Sequence, residues 1–208
     1  MLPTNFNIKT FKLLSPTDTY DKDYINWSRP YEYKYVLDII KDFPNASVHN
    51  TCCGFGPIHK DFHDKLVAIC PNTVNSDLFI RDLNPTFKNF FQYDLCNPLN
   101  DKFNIVLCIS TLEEIIQATK KQNDVDNILN NLLNQLTIGG RLIITCDIST
   151  PDKEVYHWSG AVELNYLEQL FNCKCKMPLV ILNGENSIYP NSTYKDLNIC
   201  VIEIVRIY

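Results

Sequence analysis

The reading of this chain turns on Val48-His49-Asn50-Thr51-Cys52-Cys53-Gly54-Phe55-Gly56. A short run with strand character ends in two glycines spaced one apart. Pro57 and a helical pattern, Ile58 to Ala68, follow at once. A strand, a tight glycine turn and a helix N-terminus together make a nucleotide cradle. Glycine lets the main chain approach a ligand, and the first N–H groups of the helix point at it. Two glycines before a helix also serve as ordinary turn chemistry, so the neighbouring stretches have to arbitrate.

Upstream, Ser28-Arg29-Pro30 is a helix start, with Tyr35, Val36, Ile39, Ile40 and Phe43 on one face and Pro44-Asn45 as the stop. Residues 1 to about 27 carry no regular pattern and read as an irregular N-terminal segment. Downstream, the apolar run Leu78-Phe79-Ile80 reads as a second strand leading to Asp82. Phe90-Phe91-Gln92-Tyr93 reads as a third, ending at Asp94-Leu95. Phe103 to Ile109 is nearly continuous apolar sequence, as in a parallel strand buried on both faces, and Ser110-Thr111-Leu112-Glu113-Glu114-Ile115 follows it. Val125, Ile128, Leu129, Leu132, Leu133 and Leu136 form a helical stripe, with Thr137-Ile138-Gly139-Gly140 as its stop. Arg141 to Cys146 is a buried strand ending at Asp147. Leu164 to Phe171 reads as a helix, and Leu179 to Leu182 and Asn198 to Ile207 as strands. Strands alternating with helices predict a doubly wound, mostly parallel α/β sheet with helices on both faces. Ligands of such sheets sit at the carboxyl ends of the strands, where Gly54, Gly56, Asp82, Asp94, Ser110, Glu114 and Asp147 fall.

Composition bounds the function. The chain has 208 residues, enough for one domain spanning 1–208, with a candidate N-terminal lid over 1–30 and the core over 31–208. No apolar run approaches the roughly 20 residues of a membrane span, and Met1 to Thr10 lacks the pattern of a secretory signal. A net charge of -5 disfavours a long nucleic acid as partner without excluding one. Nine cysteines, an odd number mostly inside apolar runs, read as free thiols of a reducing, cytoplasmic compartment. Cys173-Lys174-Cys175 has the wrong spacing for a zinc knuckle. His59 and His63 have a metal-compatible spacing but no evident third ligand, so no metal is expected and that helix face reads as solvated.

In this order the segments resemble a class I S-adenosylmethionine-dependent methyltransferase over roughly Tyr35 to Tyr208. Asn50 to Gly56 is similar to the family's Asp/Glu-x-Gly-x-Gly-x-Gly loop, and Asp94-Leu95 to its adenine-binding pair. Leu112-Glu113-Glu114-Ile115 is similar to its Leu-Glu-His-Ile, and Leu136 to Leu142 to its Leu-x-Pro-Gly-Gly segment. The resemblance implies a seven-stranded sheet closed by a C-terminal antiparallel strand, with S-adenosyl-L-methionine as cofactor. It assigns cofactor binding to Asn50, Cys52, Gly54, Gly56, Asp82, Leu83, Asp94, Leu95, Ile109 and Ser110. Asp82 would hold the ribose hydroxyls, Asp94 the adenine amino group, and Leu83 and Leu95 would enclose the ring. Methyl transfer is governed by alignment of nucleophile and methyl group. A hydroxyl or ammonium acceptor also needs a base, for which Glu114 and His157 are the preferred candidates beside Glu113 and Asp147. Helical geometry turns Glu113 and Glu114 about a hundred degrees apart, so one of them faces the cleft. The expected acceptor is a small molecule or sugar-like compound.

The chain departs from the family pattern at Asn50, an amide in place of an acid, and at Cys52, in place of the first loop glycine. Those departures keep open a non-catalytic or cofactor-binding-only protein on the same fold. An NAD-dependent enzyme is the other alternative, although His59 stands where its fingerprint needs a third glycine. Oligomeric state is not legible.

Overall fold

Strand alternation shows most clearly in Phe103–Ile109, where Ile105, Leu107 and Ile109 belong to one hydrophobic cluster and Val106 and Cys108 to another. A strand buried on both faces needs helices on both. The computed structural model describes residues 2–14, 28–81, 86–119, 122–149, 162–176 and 197–208. Its strands are β1 (Phe6–Leu13), β2 (Val48–Thr51), β3 (Thr73–Asp77), β4 (Phe90–Gln92), β5 (Phe103–Ile109), β6 (Leu136–Ser149), β7 (Val162–Glu163) and β8 (Leu197–Arg206). Its helices are α1 (Arg29–Ile40), α2 (Pro57–Ile69), α3 (Leu112–Thr119), α4 (Gln122–Asn134) and α5 (Leu164–Phe171).

Seven strands run in the order β1-β8-β6-β5-β2-β3-β4, and the two-residue β7 pairs beside β6. From β6 to β4 the pairing is parallel; β8 is antiparallel to β6, and β1 to β8. This is the mostly parallel α/β sheet with an antiparallel C-terminal strand that the sequence predicts. On one face Tyr33, Val36 and Ile40 of α1 and Phe62 and Leu66 of α2 pack on Val48, Ile105, Leu107 and Ile143. On the other, Val125, Ile128 and Leu132 of α4 and Leu167 and Phe171 of α5 pack on Val106, Leu142, Ile144 and Ile202. Each fully buried Leu or Ile here is worth about 1.5–3 kcal/mol in transfer free energy. The chain order reverses between β2 and β5, so the crevice of the sheet opens above their carboxyl ends.

Three expectations need correction. The N-terminal segment is not irregular throughout, because Phe6–Leu13 is an edge strand along β8. A register shift between Ile8 and Thr10 breaks the two-residue period and separates Phe6 and Ile8 from Phe11 and Leu13. The second parallel strand is Thr73–Asp77, not Leu78–Ile80, whose side chains are 43%, 52% and 59% exposed. Gly139-Gly140 does not stop a helix. Helix α4 ends at Asn134, and Leu136 already pairs with Phe103, while Arg141 pairs with Ile105. Residues 137–140 therefore bulge out of β6, with Gly139 at φ +77° and Gly140 where a Cβ would lie 2.9 Å from the Thr137 carbonyl oxygen. The strand expected at Leu179 to Leu182 lies outside the described residues. No helix among the described residues is long and apolar enough to cross a membrane.

Candidate functional site

Strand β2 delivers the glycine loop into a cavity of about 460 Å³ above the carboxyl ends of the parallel strands. That volume falls within the roughly 300–1,000 Å³ typical of small-molecule sites. Each neighbouring strand end contributes to the lining: Cys52 and Gly54 after β2, Asp77 at the end of β3, Tyr93, Asp94 and Leu95 after β4, and Ser110 after β5. Glu114, Ile115 and Ala118 enter from α3. The rim carries exposed Phe55, Leu78 and Phe79, with the Arg81 guanidinium 5.4 Å from the Phe55 ring centre and 4.9 Å from that of Phe79.

The loop itself is tightly held. Cys52 has φ +48°, so the residue standing at the family's first glycine adopts the left-handed conformation a glycine would supply. Cys53 N–H donates to the Ser76 carbonyl at 3.0 Å, and Gly54 N–H donates to Asp77 Oδ2 at the same distance. Gly54 lies at φ +71°, and a Cβ there would fall 2.6 Å from the His59 ring. The glycine is thus required by the ring of His59 on the following helix α2, whether or not a ligand is bound. His59 is fixed in turn by a hydrogen bond between its Nδ1 and the Tyr33 hydroxyl, and Tyr33 stacks on Phe62 at 4.0 Å. Burial and the neighbouring Arg29 lower the His59 pKa to about 4, so the imidazole facing the cavity is neutral. Burial and the charge of Asp77 push the Cys52 thiol up to about 12, which excludes a resting thiolate.

The predicted residues divide. Cys52, Gly54, Asp94, Leu95, Ser110 and Glu114 all line the cavity. Glu114 faces it while Glu113 turns inward and is 2% exposed, so one acid of the pair is directed at the cleft, as helical geometry requires. Asn50, Gly56 and Ile109 are not part of the lining. Asn50 is 2% exposed and donates to Asn75 Oδ1 at 3.0 Å; Gly56 caps α2 with extended backbone; Ile109 packs in the core. Asp82, Leu83 and His157 lie outside the described residues. The acid that closes β3 is Asp77, which sequence reasoning passed over because it placed the strand too late. Nor is the His59–His63 face solvated. His63 is 2% exposed, stacks on Phe87 at 4.9 Å and accepts from Lys88 N–H at 3.0 Å. Among the described residues no group of three His, Cys, Asp or Glu is placed to hold a metal.

Arg29 also lines the cavity. It donates to Glu32 Oε2 at 3.1 Å and to the Ser110 carbonyl at 3.2 Å. Burial works against its charge, but Glu32, Glu113 and Asp147 outweigh that and hold its pKa above the ordinary value.

No protein-family model and no curated protein sequence matches the chain. Solved structures do. N-methyltransferase NodS from Bradyrhizobium japonicum WM9, in complex with S-adenosyl-L-homocysteine, is 13% identical and superposes with a TM-score of 0.55 over 86% of this chain and 88% of its own. An S-adenosylmethionine-dependent methyltransferase from Clostridium acetobutylicum is 14% identical, with a TM-score of 0.53 over 87% and 93%. The 1,6-didemethyltoxoflavin-N1-methyltransferase of Burkholderia thailandensis, solved with bound 1,6-didemethyltoxoflavin and S-adenosylhomocysteine, is 13% identical, with a TM-score of 0.55 over 84% and 78%. With strand order, C-terminal antiparallel strand and these superpositions in agreement, the chain has the fold of the class I S-adenosylmethionine-dependent methyltransferases.

Proposed function

We propose that the protein is an S-adenosylmethionine-dependent methyltransferase acting on a small-molecule acceptor. The observation that supports this reading is the convergence of four successive parallel-strand ends on one cavity, each bringing a polar or glycine residue. S-adenosylmethionine bound there supplies a methyl carbon on a sulfonium, open to in-line attack by a nucleophile. The chain's part is binding and alignment. Asp77 takes the ribose hydroxyls in place of Asp82. Its two oxygens each accept one backbone N–H, from Gly54 at 3.0 Å and Phe79 at 3.3 Å, which fixes the carboxylate and leaves lone pairs for two more donors. Asp94 and Leu95 receive the adenine, Asp94 being braced by the Cys96 N–H at 2.9 Å. Cys52, Gly54 and Ser110 flank the methionine portion. Glu114, the acid of α3 that reaches the cavity, is the candidate base for the acceptor's proton.

Calorimetry with S-adenosylhomocysteine tests the reading, and Asp77→Ala tests its central contact. Loss of two hydrogen bonds to a charged group, at about 1.5–3 kcal/mol each, predicts at least a tenfold weaker complex. Folded protein that binds neither S-adenosylmethionine nor S-adenosylhomocysteine refutes the proposal. Binding of both without turnover on any amine, hydroxyl or thiol acceptor would instead favour a cofactor-binding protein without catalysis, the reading that the amide at Asn50 keeps open.

A further inference from the structure

Behind the Ser110 end of the cavity three carboxylates surround one guanidinium. Helix α1, with the Ser28 that precedes it, contributes Arg29, Glu32 and Tyr33; the β5–α3 junction contributes Ser110 and Glu113; β6 contributes Thr145 and Asp147. Glu32 is complete: one oxygen accepts from Arg29 and the other from the Thr145 hydroxyl at 2.6 Å. Glu113 is half complete. Its Oε1 accepts from the Ser110 hydroxyl at 2.6 Å, whereas Oε2, on a residue 2% exposed, has no partner among the described residues. Asp147 Oδ1, near the end of β6, is likewise enclosed and without a partner among the described residues. With all three acids ionised the cluster holds a net negative charge that Arg29 alone does not balance, and buried anions of that kind call for a cation or for protons.

We propose that Glu113 and Asp147 form a recognition site for a protonated amine reaching the cluster from the cavity. An R–NH₃⁺ group carries three N–H donors and one positive charge. It would offer donors to both empty oxygens and remove one of the two excess negative charges, which a water molecule would not do. A metal ion is the poorer occupant, because no group of three ligands among the described residues is placed to hold one. In the absence of a cation, protons take that role. Burial, with the charges of Asp147 and Glu32, raises Glu113 well above the usual carboxylate range; burial, with the charge of Glu32 and against the lowering by Arg29 and Ser28, raises Asp147 to about 7.

The inference rests on the methyltransferase reading only for the source of the amine, which is either the α-ammonium of the methyl donor or the amino group of the acceptor. Calorimetry in phosphate and in HEPES, buffers of unlike ionisation enthalpy that carry no primary amine, counts the protons released on binding. If the donor's ammonium docks here, S-adenosylhomocysteine releases at least about half a proton at pH 7, the protonated fraction of a group titrating near 7. 5′-Methylthioadenosine, which lacks the amino acid end, then releases none. If the acceptor's amine docks, both nucleosides bind without release, and propylamine added to the S-adenosylhomocysteine complex releases protons while 1-propanol does not. In either case Glu113→Gln with Asp147→Asn abolishes the release and weakens the amine-bearing ligand about ten- to a hundredfold, leaving 5′-methylthioadenosine affinity unchanged. Circular dichroism of that variant and of each single substitution checks that the fold persists. Should neither nucleoside bind, the methyltransferase reading falls but the cluster is still read by thermal shift, propylamine stabilising the wild type and not the double variant. Proton release that survives the double substitution, or propylamine and 1-propanol acting alike on the wild type with no release by S-adenosylhomocysteine, overturns the proposal.

Discussion

Gly54 joins fold and site at a single Cβ, so its replacement is the sharpest test of the loop geometry. Alanine there must adopt φ +71°, which costs an L-residue about 1–2 kcal/mol. Its Cβ would also stand 2.6 Å from two ring carbons of His59, about 1 Å inside the optimum carbon–carbon separation of roughly 3.5–4.0 Å. The ring has little room to yield, since Tyr33 holds its Nδ1 and is itself stacked on Phe62. Overpacking of this sort costs about 1–3 kcal/mol, so Gly54→Ala should lose about 2–5 kcal/mol in all. His59→Ala alone gives up the Tyr33 hydrogen bond and part of a buried ring, about 1–2 kcal/mol. The double variant keeps the backbone strain but not the collision. A double-mutant cycle by urea denaturation should therefore show a favourable coupling of about 1–3 kcal/mol at constant m-value. Strict additivity, within about 0.5 kcal/mol, would mean that His59 does not rest on Gly54, and the account of this loop would fail.

Two further outcomes follow from buried polar groups. Asn50→Asp restores the acid of the family pattern, yet it should destabilise the protein by about 3–5 kcal/mol and leave S-adenosylhomocysteine binding no tighter. The new carboxylate would face Asn75 Oδ1, an acceptor, at a position 2% exposed, and a urea midpoint unchanged from wild type would show the side chain to be free to turn into the cavity. Asp147 titrates near 7 in the folded protein against an ordinary 3.8, so the folded state binds its proton more tightly than the unfolded state does. Stability should thus fall as pH rises from about 4 to about 7 and level off above, by up to about 4 kcal/mol for a rise of about 3 units. Asp147→Asn cannot titrate and should flatten that fall, gaining on the wild type at pH 8; parallel pH profiles of the two proteins would count against a protonated Asp147.

The elements legible in the sequence are those whose burial is apolar and periodic. Strand β5 alternates between two clusters from Ile105 to Ile109, and Val125, Ile128, Leu129, Leu132 and Leu133 keep one face of α4 in register. Strand β1 was hidden by a single irregularity between Ile8 and Thr10, which puts Phe11 and Leu13 out of step with Phe6 and Ile8. The turn at Gly139-Gly140 has the same local chemistry at a helix end and at a strand bulge. Only the pairing of Leu136 with Phe103 distinguishes the two, and that contact spans the fold.

Strand β3 was missed for a different reason, and the error passed from fold to site. Thr73, Asn75 and Ser76 are as buried as any core residue, but their burial is offset by hydrogen bonds rather than by apolar contact. Ser76 Oγ bonds His49 Nε2 at 2.8 Å, and Asn75 Oδ1 accepts from Asn50 at 3.0 Å. On the far side, His49 Nδ1 meets Gln135 Oε1 at 2.6 Å, its pKa lowered by burial to about 4. A search for apolar runs therefore slid past this strand to Leu78-Phe79-Ile80, which line or flank the cavity mouth, and took Asp82 for the strand-end acid when the geometry offers Asp77. The same network accounts for Asn50. Next to a neutral amide at Asn75 an amide is the side chain that fits, so the departure from the family's acid belongs to the stitching of β2 to β3 and does not by itself report lost chemistry. An anionic complement to a ligand's ammonium then has to come from elsewhere, and Glu113 and Asp147, behind the Ser110 end of the cavity, have the unfilled oxygens to supply it.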